Sequence, residues 1–97
     1  MTKQEIAGYL EHPDPSLQEH WDEIMTEVAG QVTRGTYDQM IAPLRPLTIR
    51  DGIAVLCHPT APGADWCRVK LRKIMPRTMR SILHQPVRIA YTVGANQ

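Results

Sequence analysis

Cys57 and His58 put a nucleophile beside a base. They close an apolar run, Ile53 to His58, that reads as a β-strand, and neighbours on a strand point to opposite faces. A catalytic thiol and its base need hydrogen-bond reach of one another, so this pair predicts no Cys–His chemistry. Cys67 follows ten residues later. Zinc sites want C-x₂-C spacing with clustered histidines, and two cysteines make no disulfide framework. Both cysteines are expected as small, reduced core residues. His12, His20 and His84 are scattered, and no two carboxylates pair in a cleft-like position. The residues predict a protein that is not an enzyme and needs no metal and no cofactor.

Charge is the stronger signal. The formal net charge is +1, yet residues 1–40 hold eight acids against Lys3 and Arg34, while residues 41–97 hold nine bases against Asp51 and Asp65. A molecule so polarised suits self-association or partners of opposite sign. The densest basic group is Arg68, Lys70, Arg72, Lys73, Arg77 and Arg80. On one continuous helix these would spread around much of the circumference instead of forming a narrow stripe. They read either as a solvated face with bases near a helix C-terminus or as salt-dependent phosphate contacts.

The elements that must position these groups follow from periodicity and breakers. A chain of 97 residues, 42% apolar and without phenylalanine, is one domain that buries about 60–65% of its unfolded surface. Residues 1–15 read as an N-terminal extension, with Ile6, Tyr9 and Leu10 in a helical turn broken by His12-Pro13-Asp14-Pro15. The domain proper is expected over 16–97. Ser16 and Glu19 have the capping-box form, opening a helix with Leu17, Trp21, Ile24, Met25, Val28 and Val32 on one stripe. Thr33 caps a second helix running to about Ala42, where Pro43 and Pro46 stop it. Leu47 and Ile49 then alternate with Thr48 and Arg50, Asp51-Gly52 is a tight hairpin turn, and Ile53 to His58 returns. Pro59 to Gly63 reads as a loop. Ala64 to about His84 is helical, bent at Pro76 into two helices, the second with that proline in its first turn. Val87, Ile89, Tyr91 and Val93 alternate as an edge-like strand. The order α-α-β-β-α-(α)-β predicts a small α+β domain with a three-stranded sheet packed against helices. No signal peptide and no membrane-length apolar run is read, so the chain is expected to be soluble and cytoplasmic.

Trp21, the run Tyr37-Asp38-Gln39-Met40-Ile41-Ala42-Pro43-Leu44, the Asp51-Gly52 hairpin, His58-Pro59-Thr60 and Asp65-Trp66 occur in this order over about residues 16–93. This pattern resembles the N-terminal domain (domain I) of the bacterial replication initiator DnaA. Met40 stands where the family has a second tryptophan, and the hairpin region is about one residue longer. The resemblance implies a KH-like fold and a non-enzymatic interaction platform of DNA replication initiation. It implies self-association, as a homodimer, through helix one at His20, Trp21, Ile24 and Met25. It places contacts to the replicative helicase, or to the initiator and its regulators, at Thr36, Tyr37, Pro62 and Asp65. Thr36 and Pro62 replace an acid and an aromatic of better-studied relatives, which changes the chemistry of any such contact. A weak contact to single-stranded DNA is also implied. The alternative is a KH-like nucleic-acid-binding module using the basic helix 68–80, with Arg68, Arg72, Lys73 and Arg77 on phosphates. A nucleic-acid-binding KH module uses a G-x-x-G loop, and no two glycines here are three apart. With no G-x-x-x-x-G-K phosphate loop and no stretch left for a helix-turn-helix, these 97 residues are expected to act as an adaptor or a competing decoy.

Overall fold

Pro15 opens the first helix, one residue ahead of the serine expected to cap it. Its fixed φ is already helical and its missing N–H is no loss at that position. The structure, a computed structural model, describes residues 15–94, so the extension expected over 1–15 lies, but for Pro15, outside the described residues. In chain order the elements are α1 (Pro15–Ala29), a single turn α2 (Arg34–Thr36), a π-helical segment (Tyr37–Ile41), β1 (Arg45–Arg50), β2 (Ile53–His58), α3 (Ala61–Lys70), α4 (Ile74–Leu83) and β3 (Arg88–Val93). This is the expected α+β class.

The sheet has the order β1-β2-β3, antiparallel between the first pair and parallel between the second. Asp51 and Gly52 turn the hairpin with φ of 53° and 76°, the left-handed geometry that a tight primed turn demands. A parallel partner needs a crossover, and α3 and α4 supply it. Ala54 and Leu56 point from β2 into a core with Leu17, Ile24, Val28, Ile41, Leu71, Met75 and Met79, all buried. The core thus lies between one sheet face and the helices, with α1 packed on α4 and β1, and α3 on β2, β3 and the π segment. Among the described residues no helix is long and apolar enough to cross a membrane.

Four elements depart from expectation. In β1 the ladder skips Leu47 between the pairs Pro46–Leu56 and Thr48–Val55. This bulge puts two residues opposite one and shifts the alternation. Ile49 packs on the core as its pattern asks, but Thr48 is buried and Leu47 stays half-exposed. Second, α3 begins at Ala61 instead of Ala64, because Thr60 caps it by accepting from the Gly63 N–H at 3.1 Å. Pro62, in the first turn, has no intrahelical donor to lose. Third, the break between α3 and α4 falls at 71–73, ahead of Pro76, which takes its place in the first turn of α4.

The helix after Thr33 changes type. Thr33 caps as expected, its hydroxyl accepting from the Thr36 N–H at 3.2 Å. From Tyr37 onward the turn widens, with the Ala42 N–H donating to the Tyr37 carbonyl at 2.8 Å, five residues back. Pro43 explains this. Its ring would collide with the Gln39 carbonyl in an α-helix and it offers no N–H, and a π turn lets the chain pass.

Candidate partner-binding surface

Termination at Pro43 leaves carbonyls without donors, and the Met40 carbonyl finds two from far along the chain. The His58 Nε2–H donates to it at 3.0 Å and the Cys67 thiol at 3.4 Å. His58 Nδ1 in turn accepts from the Thr60 N–H at 3.2 Å. These partners define the neutral tautomer protonated at Nε2. One buried ring therefore ties the end of the π segment to the last residue of β2 and the cap of α3. Burial pushes the Cys67 thiol up to about 11, which keeps it a neutral donor. At Cys57, on the opposite sheet face, burial raises the thiol and nearby Arg45 partly offsets the rise. Neither thiol is activated.

This tie joins the elements that carry two of the sequence-predicted regions. Thr36 ends α2 and Tyr37 begins the π segment, and Pro62 and Asp65 lie on α3, which packs against that segment. Thr36 is half-buried and holds the Thr33 cap. Tyr37 packs partly on the core. Pro62 is exposed, and exposed Asp65 pairs with Arg68 along its own helix. Pro62, Trp66 and Val69 fall at i, i+4 and i+7, one stripe of α3. Val69 is 61% exposed and Trp66 half-buried. Of these only Pro62 was anticipated as a contact residue. The signal for the others was present as helical spacing once the helix start is moved to Ala61.

The proposed self-association residues divide. Ile24 and Met25 are 0% and 7% exposed, inside the core, and are not surface residues. They sit on the inward stripe of α1, where burial against α4 and the sheet is worth about 2 kcal/mol or more per side chain. His20 and Trp21 reach solvent in part, with His20 Nδ1 3.3 Å from Glu23 and Trp21 packed against the core's edge.

Arg68, Arg72, Lys73 and Arg77 are all exposed, as are Lys70 and Arg80. The break at 71–73 resets their phase. On α4 and its N-cap, Lys73, Arg77 and Arg80 align at i, i+4 and i+7, opposite buried Met75 and Met79.

Behind α3, Tyr91 turns its hydroxyl into the packing beside Cys67 and Arg68. Burial above all, then the neighbouring Cys67, raises it well above the usual phenol range, against the pull of Arg68. The hydroxyl has no hydrogen-bond partner among the described residues. An unsatisfied buried hydroxyl costs about 1–3 kcal/mol. Tyr91→Phe is therefore expected to leave stability unchanged or to raise it by up to about 1 kcal/mol, read from urea midpoints.

Compared with curated proteins, the chain is 29% identical over 72 residues to the chromosomal replication initiator protein DnaA of Picosynechococcus sp.. This chain is similar to DnaA. The match takes in 74% of this chain but 16% of the relative, a single domain's share. No family model matches the chain. The resemblance to DnaA read from Trp21, the Tyr37–Leu44 run and Asp65-Trp66 thus agrees with this 72-residue match.

Proposed function

We propose that this DnaA-like domain is a non-enzymatic interaction module of replication initiation. It binds the replicative helicase, or the initiator and its regulators, as an adaptor or a competing decoy, and it associates with itself through α1. The observation that carries this reading is the similarity to DnaA, which spans 74% of the chain. The tie from His58 to Met40 supports it, because it holds the Thr36–Tyr37 and Pro62–Asp65 regions in one fixed relation. Surfaces held in this way have a smaller ordering cost on binding. Trp66 and Val69 add apolar area beside Pro62, where buried aromatic anchors carry most of the energy in protein interfaces.

The test is calorimetry with the replicative helicase of the same host, using the host initiator's N-terminal domain as competitor. Competitive binding that weakens with Trp66→Ala supports the reading. No binding at about 50 µM, a free energy near −6 kcal/mol, removes the helicase from it.

A second reading, nucleic-acid binding, is favoured by the Lys73, Arg77 and Arg80 stripe. It requires affinity for single-stranded oligonucleotides that falls steeply from low to physiological salt.

A further inference from the structure

Two charged stripes of the same pitch run along different helices of this molecule. On α1, Glu19, Glu23 and Glu27 stand at i, i+4 and i+8, all exposed, with Asp22 beside them and no lysine or arginine anywhere on the helix. On α4 and its N-cap, Lys73, Arg77 and Arg80 stand at i, i+4 and i+7, also exposed. At about 1.5 Å of rise per residue the two stripes extend about 12 Å and about 10 Å, so their charges repeat at matching intervals.

The two helices pack against each other, yet the stripes do not meet. Glu23 and Glu27 flank a cleft whose other wall is Thr78, Ser81, Ile82 and His84 of α4 and its C-cap, none of them lysine or arginine. The basic stripe lies on the opposite side of α4, away from Met75 and Met79. His20–Glu23, Arg34–Asp38 and Asp65–Arg68 are ion pairs, each local in the chain. Among the described residues no ion pair joins α1 to α3 or α4.

Complementary faces that cannot reach each other in one copy can do so between two. We infer that the domain self-associates head to tail, the acidic stripe of α1 on one copy lying along the Lys73–Arg77–Arg80 stripe of the next. The inference rests on the self-association part of the proposed function and replaces a symmetric α1–α1 contact. A symmetric contact would lay four acids against four acids, and like charges across an interface are unfavourable. A head-to-tail contact leaves one acidic and one basic stripe unused at the two ends, so growth continues with concentration instead of stopping at two.

The experiment measures mass by sedimentation at rising protein concentration, in about 0.02 M and about 0.5 M salt, where the screening length falls from about 20 Å to about 4 Å. Two neutralised variants keep the fold, since every changed side chain is exposed: Glu19→Gln with Glu23→Gln and Glu27→Gln, and Lys73→Gln with Arg77→Gln and Arg80→Gln. Thermal melts check that fold. At low salt the parent chain is expected to exceed its 11.0 kDa mass progressively and to weaken at least tenfold at high salt. Each variant alone is expected to stay at monomer mass. Their equimolar mixture forms a one-to-one dimer that does not grow, because each brings the stripe the other lacks.

A variant lacking the basic stripe that still dimerises, with no gain on mixing, overturns the head-to-tail contact and leaves self-association through α1 standing. A parent chain that is monomeric at every concentration overturns both. Loss of oligonucleotide binding in the basic-stripe variant, with no change in mass, overturns the inference in favour of nucleic acid.

Discussion

Gly63→Ala lowers the stability of the domain by about 3 kcal/mol, the upper end of what overpacking a tight site costs. A Cβ at this position would overlap the His58 ring, with three of its atoms in the way. The ring cannot swing aside cheaply. Its Nε2–H is committed to the Met40 carbonyl at 3.0 Å and its Nδ1 to the Thr60 N–H at 3.2 Å, and moving it leaves buried groups unpaired. For a domain of this size each kcal/mol moves the melting temperature by about 4–8 °C. Gly35→Ala serves as the control. It lies in a helical turn with open space around it, and there alanine is neutral or stabilising by about 0.5 kcal/mol. Adding His58→Ala to Gly63→Ala makes room for the methyl group, so the double variant should lose less than the sum of the two single losses. A Gly63→Ala protein that melts with the parent chain would show that the ring is not held as described.

Ile24→Ala lowers stability by about 2–5 kcal/mol, the range for removing a large aliphatic side chain from a packed core. Ile24 is fully buried among Leu17, Val28, Ile41 and Met75. In a domain whose whole stability is about 5–10 kcal/mol, that loss populates unfolded chain at ordinary temperature. The consequence bears on any study of self-association. A fall in mass of an Ile24 or Met25 variant would report a damaged core and not a lost contact. Trp21→Ala, at the half-exposed edge of the core, is expected to cost less, and its denaturant midpoint should lie clearly above that of Ile24→Ala. The reverse order would place Trp21 in the core.

The elements legible in the sequence were those written in local pattern. The stripe of α1, the Asp51-Gly52 turn, the apolar run of β2 and the alternation of β3 each follow from neighbours within a turn or two of chain. What was not legible depends on distant partners. The π segment needs Pro43 to forbid an α-helix, but its Met40 carbonyl is satisfied by His58 and Cys67, 18 and 27 residues away. Nothing around either side chain announces a donor. The strand alternation of Cys57 and His58 says nothing of the ring's structural use, although a glycine five residues later is the trace it leaves. The bulge at Leu47 is likewise invisible from one strand, since register belongs to a pair. In the candidate site, Pro62 comes from the resemblance alone, because a helix begun at Ala64 leaves it off the stripe of Trp66 and Val69. The place of the break, at 71–73 instead of Pro76, depends on packing, and it sets Arg68 and Lys70 on a different helix from Lys73, Arg77 and Arg80.

The way the Met40 carbonyl is satisfied also decides what can be cut out of this protein. The segment from Thr33 to Leu44 carries half of the proposed contact region, and a short peptide copy of it would be the natural starting point for a competitor. Such a peptide lacks both side chains that complete its end, and a few helical turns are marginal alone in water. Its shape is on loan from β2 and α3. A mimic of this surface has to be a miniature domain or a chemically stapled turn, and a free peptide that failed to compete would say nothing against the surface itself.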